Sequence, residues 1–133
     1  TNNRAAGAVR VEIPELPDLE VSRLMEVGTS SLEVTIRNNG PGQLDDSFYN
    51  TGSPATVQYY LDNRKTSGMS FGMLDPTRAL KNPGGSVTKT IGTQINCTAS
   101  PGTHLLKVKI DPVNVIEEVS DMNNERQTTV DCP

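Results

Sequence analysis

Residues 105–130 read LLKVKIDPVNVIEEVSDMNNERQTTV. Leu106, Val108 and Ile110 alternate with Lys107 and Lys109, a period of two that marks a half-buried β-strand. Thr128 and Val130 repeat the pattern at the far end of the stretch. The residues between are too many for a tight hairpin turn and too rich in Asp, Glu and Asn for a core element. Two strands joined by an acidic crossover point to an antiparallel β domain. Within the crossover only Val115–Met122 has helical character, and it is short.

Alternation recurs upstream. Leu32, Val34 and Ile36 oppose Glu33, Thr35 and Arg37, and the strand stops at Asn38-Asn39-Gly40-Pro41-Gly42, a cluster of turn formers. Leu19 and Val21 begin an earlier strand. Val57, Tyr59 and Leu61 form another, ended by Asp62-Asn63. Met69, Phe71 and Met73 predict one more, weakened by Gly68 and Gly72. Val87, Ile91 and Ile95 share one face of a strand through Thr88–Gln94. Upstream of these, Val9, Val11 and Ile13 suggest a short edge strand, and Pro14 and Pro17 favour an extended run into the domain. Residues 1–16 read as a leading segment and 17–133 as the domain.

These are about seven strands with turn signals every 10–15 residues, which predicts an all-β fold. Two packed antiparallel sheets, an immunoglobulin-like or fibronectin type III-like sandwich, satisfy the layer rule. Composition agrees: 34% hydrophobic, 4% aromatic, no Trp, 11 Gly and 9 Pro suit short strands and exposed turns rather than a helical bundle. A formal net charge of −4 with no run of Lys or Arg argues against a nucleic-acid partner. No apolar stretch approaches the ~20 residues of a membrane helix, so direct membrane insertion is not expected. The chain starts at Thr1 and shows no signal peptide, which suggests a processed piece of a longer protein.

Cys97 and Cys132 lack metal-ligand spacing, and with a single His no zinc constellation is available. They are one disulfide or two buried thiols. If Thr88–Asn96, Leu105–Ile110 and Arg126–Asp131 are successive antiparallel strands, both cysteines fall at one end of the domain and a bridge is reasonable. It would close a loop of roughly 36 residues, worth about 3–4 kcal/mol in the chain-entropy account. A disulfide implies an oxidising compartment: periplasm, cell surface or secreted. Asn96-Cys97-Thr98 matches the glycosylation triplet, a pattern short enough to arise by chance.

Six pieces in order resemble the CARDB family, the cell-adhesion-related domain found in bacteria. Pro17-Asp18-Leu19-Glu20-Val21 is similar to its opening. Val34–Asn39 with Gly40 resembles its second strand. VQYYLDN at 57–63, NPGGSV at 82–87, SPGTHLLKV at 100–108 and Ile110–Asn124 resemble later motifs. Asn63 stands where the family usually has Gly, Asp121 where it has Glu, and His104 where it has an aromatic. The cysteines are not a family hallmark. The resemblance implies a non-catalytic β-sandwich module of an extracellular, surface or secreted protein. Its role would be adhesion, spacing or binding, with a protein or polysaccharide partner at the cell surface and neighbouring domains in the parent chain. The alternative is a carbohydrate-binding module attached to a polysaccharide-degrading enzyme.

Candidate sites are few. Asp111, Asn114, Glu117, Glu118, Asp121, Asn123 and Asn124 lie within 14 residues. Asp111, Glu117, Glu118 and Asp121 are candidate Ca²⁺ ligands, since calcium takes six to eight oxygens. The spacing is not that of an EF-hand, and the competing reading is that these side chains cap turns and fix the register of the last strand. No other cofactor is indicated. Phe48, Tyr49 and Tyr60 are candidate carbohydrate-stacking rings, with Tyr59 pointing inward and Tyr60 outward. His104 has no nucleophile or orienting partner in any recognisable motif and reads as a strand-edge residue. Asp45-Asp46 and Glu117-Glu118 are adjacent carboxylates, and adjacency on a strand does not make an acid/base pair. No catalytic residue is assigned.

Overall fold

The computed structural model describes residues 15–27 and 31–132. Seven strands are present among them: β1 (Leu19–Glu26), β2 (Ser31–Asn38), β3 (Thr56–Leu61), β4 (Arg64–Ser70), β5 (Ser86–Gly92), β6 (Gly102–Ile110) and β7 (Glu125–Cys132). They form two antiparallel sheets, ordered β1-β2-β5 and β4-β3-β6-β7. The predicted sandwich is the observed one. Proposed strand 8–13 lies outside the described residues.

Alternation puts one face of each strand in the core. Leu19, Val21, Leu32, Val34 and Ile36 from the first sheet meet Val57, Tyr59, Leu106, Val108, Ile110 and Val130 from the second, all buried. Leu44, Phe71, Leu74, Leu80 and Ile116 come from connections and fill the ends. Burying such side chains is worth about 1.5–3 kcal/mol each before entropy is charged.

The β3–β4 hairpin turns on Asp62 (φ 50°) and Asn63 (φ 67°), two left-handed residues in succession. That is the twist a two-residue hairpin requires, and Asn tolerates it without Gly. Gly42 has a different reason. A Cβ there would lie 2.0 Å from the Glu15 carbonyl, because the leading segment runs against this turn and Leu16 O accepts from Gly42 N at 3.0 Å.

Four expectations are corrected. Met69 belongs to β4, but Phe71 and Met73 do not continue it. The chain turns into a single helical turn, α1 (Phe71–Leu74), whose Met73 N–H donates to the Ser70 hydroxyl at 3.3 Å. The strand through residue 94 ends at Gly92. Residues 115–122 are irregular chain, bends and turn, not helix, since Val115 and Ile116 N–H donate to the Asp111 carboxylate and Val119 N–H to the Pro17 carbonyl. Finally, β5 pairs β2 and not β6, so the three strands expected to be successive neighbours span both sheets.

Candidate functional site

The crossover between β6 and β7 closes one pole of the sandwich. Asp111 (φ 49°) and Asn114 (φ 57°) bend the chain out of β6. The buried Asp111 carboxylate accepts from Val115 N at 3.1 Å and Ile116 N at 2.7 Å, which drops Ile116 into the core and leaves Val113, Val115 and Val119 exposed. Glu118 reaches back across 99 residues. Its Oε1 accepts from Leu19 N at 2.6 Å and its Oε2 from Asn124 Nδ2 at 2.5 Å. Val119 N donates to Pro17 O at 3.0 Å, Val21 N to Asn123 O at 3.1 Å, and Asn123 Nδ2 to Asp18 Oδ1 at 3.1 Å. The crossover is therefore a clamp on the start of β1.

Burial pushes the Glu118 carboxyl up to about 7; its two donors pull the other way, and the negative charges of Asp121 and Asp111 add to the rise. Asp111 is also raised, again first by burial. Glu117 is exposed. The structure thus brings Asp111, Glu118 and Asp121 to one neighbourhood, but the Asp111 and Glu118 oxygens serve backbone and amide donors. Among the described residues no three Asp, Glu, His or Cys side chains are placed to hold a metal ion. The four residues named as calcium ligands do not fit a preformed site, and capping accounts for Asp111 and Glu118. The side-chain oxygens of Asn123 and Asn124 are buried with no partner.

The three candidate rings do not share a surface. Tyr49 is 7% exposed, packs edge-on against Phe71 at 6.2 Å, and donates to Asp75 Oδ2 at 2.7 Å. Burial raises its pKa, and the Asp75 hydrogen bond adds to the rise. Phe48 is half-buried against the core. Only Tyr60 faces outward, on the second sheet, with its hydroxyl donating to Gln58 Oε1 at 2.9 Å and Lys109 Nζ 5.3 Å from its ring centroid. Burial takes Tyr49 out of any exposed stacking platform, whereas Phe48 keeps part of its ring accessible.

The opposite pole carries a disulfide between Cys97 and Cys132, with Cα atoms 5.3 Å apart. It joins the segment leaving the first sheet to the end of β7 in the second. The expected pairing holds although the expected strand neighbours do not. His104, read from sequence as a strand-edge residue, is 6% exposed and pairs with Asp62. The hydrogen bond to Asp62 is the first cause of its raised pKa, with the Ser100 carbonyl second.

Sequence reasoning missed Asn38 and Asp75, both fully buried. Asn38 serves four backbone groups at the turn that receives the leading segment. Asp75 accepts from Tyr49, Ala79 N and Leu80 N. Each sits beside turn formers, and nothing in the sequence distinguishes them from solvent-exposed loop residues.

The described residues define a two-sheet antiparallel β-sandwich module, three strands packed against four. The family model CARDB matches residues 16–128, and the chain belongs to that family, a non-catalytic one. The fold is similar to the crystal structure of the CARDB domain of the PF1109 protein from Pyrococcus furiosus, solved in complex with di-metal ions. That similarity has 18% identity and a TM-score of 0.61, covering 90% of this chain and 96% of that one. The solution structure of the same domain gives 17% identity and a TM-score of 0.57, over 89% and 96% of the chains. A domain from Methanosarcina acetivorans, described as part of a cell surface protein, gives 16% and 0.57, over 89% and 93%. No curated protein matches.

Proposed function

We propose that this domain is a non-catalytic, extracellular or periplasmic module of a surface or secreted protein, acting in spacing, adhesion or ligand binding. The observation that carries the reading is the path of the chain. The polypeptide comes in at the crossover pole, where Leu19 N is held by Glu118. It leaves at the disulfide pole, where Cys132 ends β7. The eight residues of β7 separate the two poles by roughly 25 Å at ~3.3 Å per residue. Neighbouring domains attached at the two poles would stand in line with this one, the arrangement a spacer needs. The disulfide suits an oxidising compartment, and a relative is described as a cell surface protein.

The test is exposure of the domain in the organism that makes it. Antibody raised against the domain should label intact cells or detect it in the medium, and protease added outside should remove the signal. Detection only after lysis, in the cytosolic fraction, would overturn the reading.

A further inference from the structure

The geometry points to the outer face of the β4-β3-β6-β7 sheet as a docking surface for an acidic polysaccharide, centred on Tyr60. Four side chains lie in one row across the sheet. Lys65 pairs with Tyr60, Tyr60 with Lys107, and Lys107 with Gln127. With ~4.8 Å between strands the row is roughly 14 Å long. In the next row Gln58 pairs with Lys109. Parity puts Tyr60, Gln58, Lys107, Lys109 and Gln127 on the face away from the core, since Val57, Tyr59, Leu106, Val108 and Val130 on the same strands are buried, while Lys65 is exposed beside a β-bulge in β4.

Charge complementarity chooses the occupant. The whole chain carries −4, yet these two rows hold Lys65, Lys107 and Lys109 against one carboxylate, Glu125. Glu125 lies 3.8 Å from Lys107 and 3.4 Å from Lys109, so it leaves Lys65 without an acidic partner in the rows. Asp62 and Asp131 lie beyond the rows, where Asp62 holds His104 and Asp131 accepts from Thr103. A half-exposed aromatic ring with a cation 5.3 Å from its centre is suited to a sugar ring bearing a carboxylate: C–H groups stack on the tyrosine while lysines meet the acid. The Gln58 and Gln127 amides supply donors and acceptors for hydroxyls. A nucleic acid would need a run of Lys or Arg along its phosphates, which this chain lacks. The inference rests on the extracellular reading above. The two fail separately, because one is tested by location in cells and the other by binding in solution.

Affinity electrophoresis of the intact 133-residue protein through gels containing polygalacturonate, a neutral β-glucan or poly-glutamate tests it. Retardation is expected in polygalacturonate alone, weakening as salt is raised. Tyr60→Ala and, separately, Lys107→Gln should each weaken it roughly tenfold while leaving the melting temperature near the parent value. Both positions face solvent, and Lys65→Gln, fully outside the core, serves as a third variant that fold loss cannot explain. No retardation at low salt, equal retardation by poly-glutamate (an acidic-peptide partner), or undiminished retardation of Tyr60→Ala would each overturn the proposal.

Discussion

His104 Nδ1 lies 2.7 Å from Asp62 Oδ2 while its Nε2 lies 2.6 Å from the Ser100 carbonyl oxygen, so both ring nitrogens face acceptors. A neutral imidazole donates from one nitrogen only; the imidazolium satisfies both. This one ring bolts the disulfide-bearing loop to the β3–β4 hairpin. A raised histidine pKa stabilises the fold below the unfolded value near 6.5, and the gain is lost as pH rises through the folded value. Asp62 is held below the usual carboxylate range, first by His104. Its contribution is present above ~3.9 and lost as pH falls through its folded value. Melting temperature against pH should therefore show the pair's contribution greatest between about pH 4 and 6.5. His104→Gln should flatten the alkaline side, and an unchanged profile would remove the bolt.

Glu118 acts at the other pole with the same sign on its alkaline side. Its carboxyl is raised to about 7, so the folded state holds a proton that the unfolded chain releases near 4.5. Stability falls as pH rises from ~4.5 to ~7. Glu118→Gln keeps the shape without the charge, and an inverted Asn124 amide would then supply the complementary donor and acceptor. The variant should melt a few degrees higher than the parent at pH 8 and match it at pH 4. A lower melting temperature at pH 8 would show that the charge itself holds Leu19.

Removing the disulfide should be costly. Cys97 and Cys132 are 35 residues apart in sequence, and the chain-entropy account assigns such a loop about 3–4 kcal/mol. Cys97→Ser with Cys132→Ser should shift the urea midpoint down accordingly. In the unreduced native protein neither cysteine should take up a thiol-labelling reagent.

Asn38→Ala tests the turn that seats the leading segment. The Asn38 amide donates to Gly42 O and Leu80 O, both at 3.1 Å, and accepts from Asp18 N at 3.1 Å and Gly40 N at 3.0 Å. Truncation strands four backbone groups around a buried site. A loss of roughly 3 kcal/mol or more is expected from urea unfolding. A loss below about 1 kcal/mol would mean that water replaces the amide.

Calcium should have little effect. The Asp111 and Glu118 oxygens already accept from Val115, Ile116, Leu19 and Asn124. The melting temperature in millimolar Ca²⁺ should match that in excess chelator. A rise of several degrees would show that the crossover rearranges around the ion.

The sequence by itself determined the class of fold. Alternation in Leu32–Arg37, Val57–Leu61 and Leu106–Ile110 sets which side chains face inward, because a strand's period of two is a local property. It also determined that the Tyr59 ring would be buried and the Tyr60 ring would face out. Sheet membership was decided by the tertiary structure alone. β5 carries the same alternation whether it joins β2 or β6, and only packing of the two sheets selects β2. The crossover divides the same way. Its acidic and amide-rich residues announced polar work, but whether Glu118 would bind an ion or a backbone N–H depended on Leu19, 99 residues distant. His104 pairs with Asp62 across 42 residues. Buried polar groups must find partners, and which partners lie within reach is fixed by strand register and sheet closure, quantities that no local pattern contains.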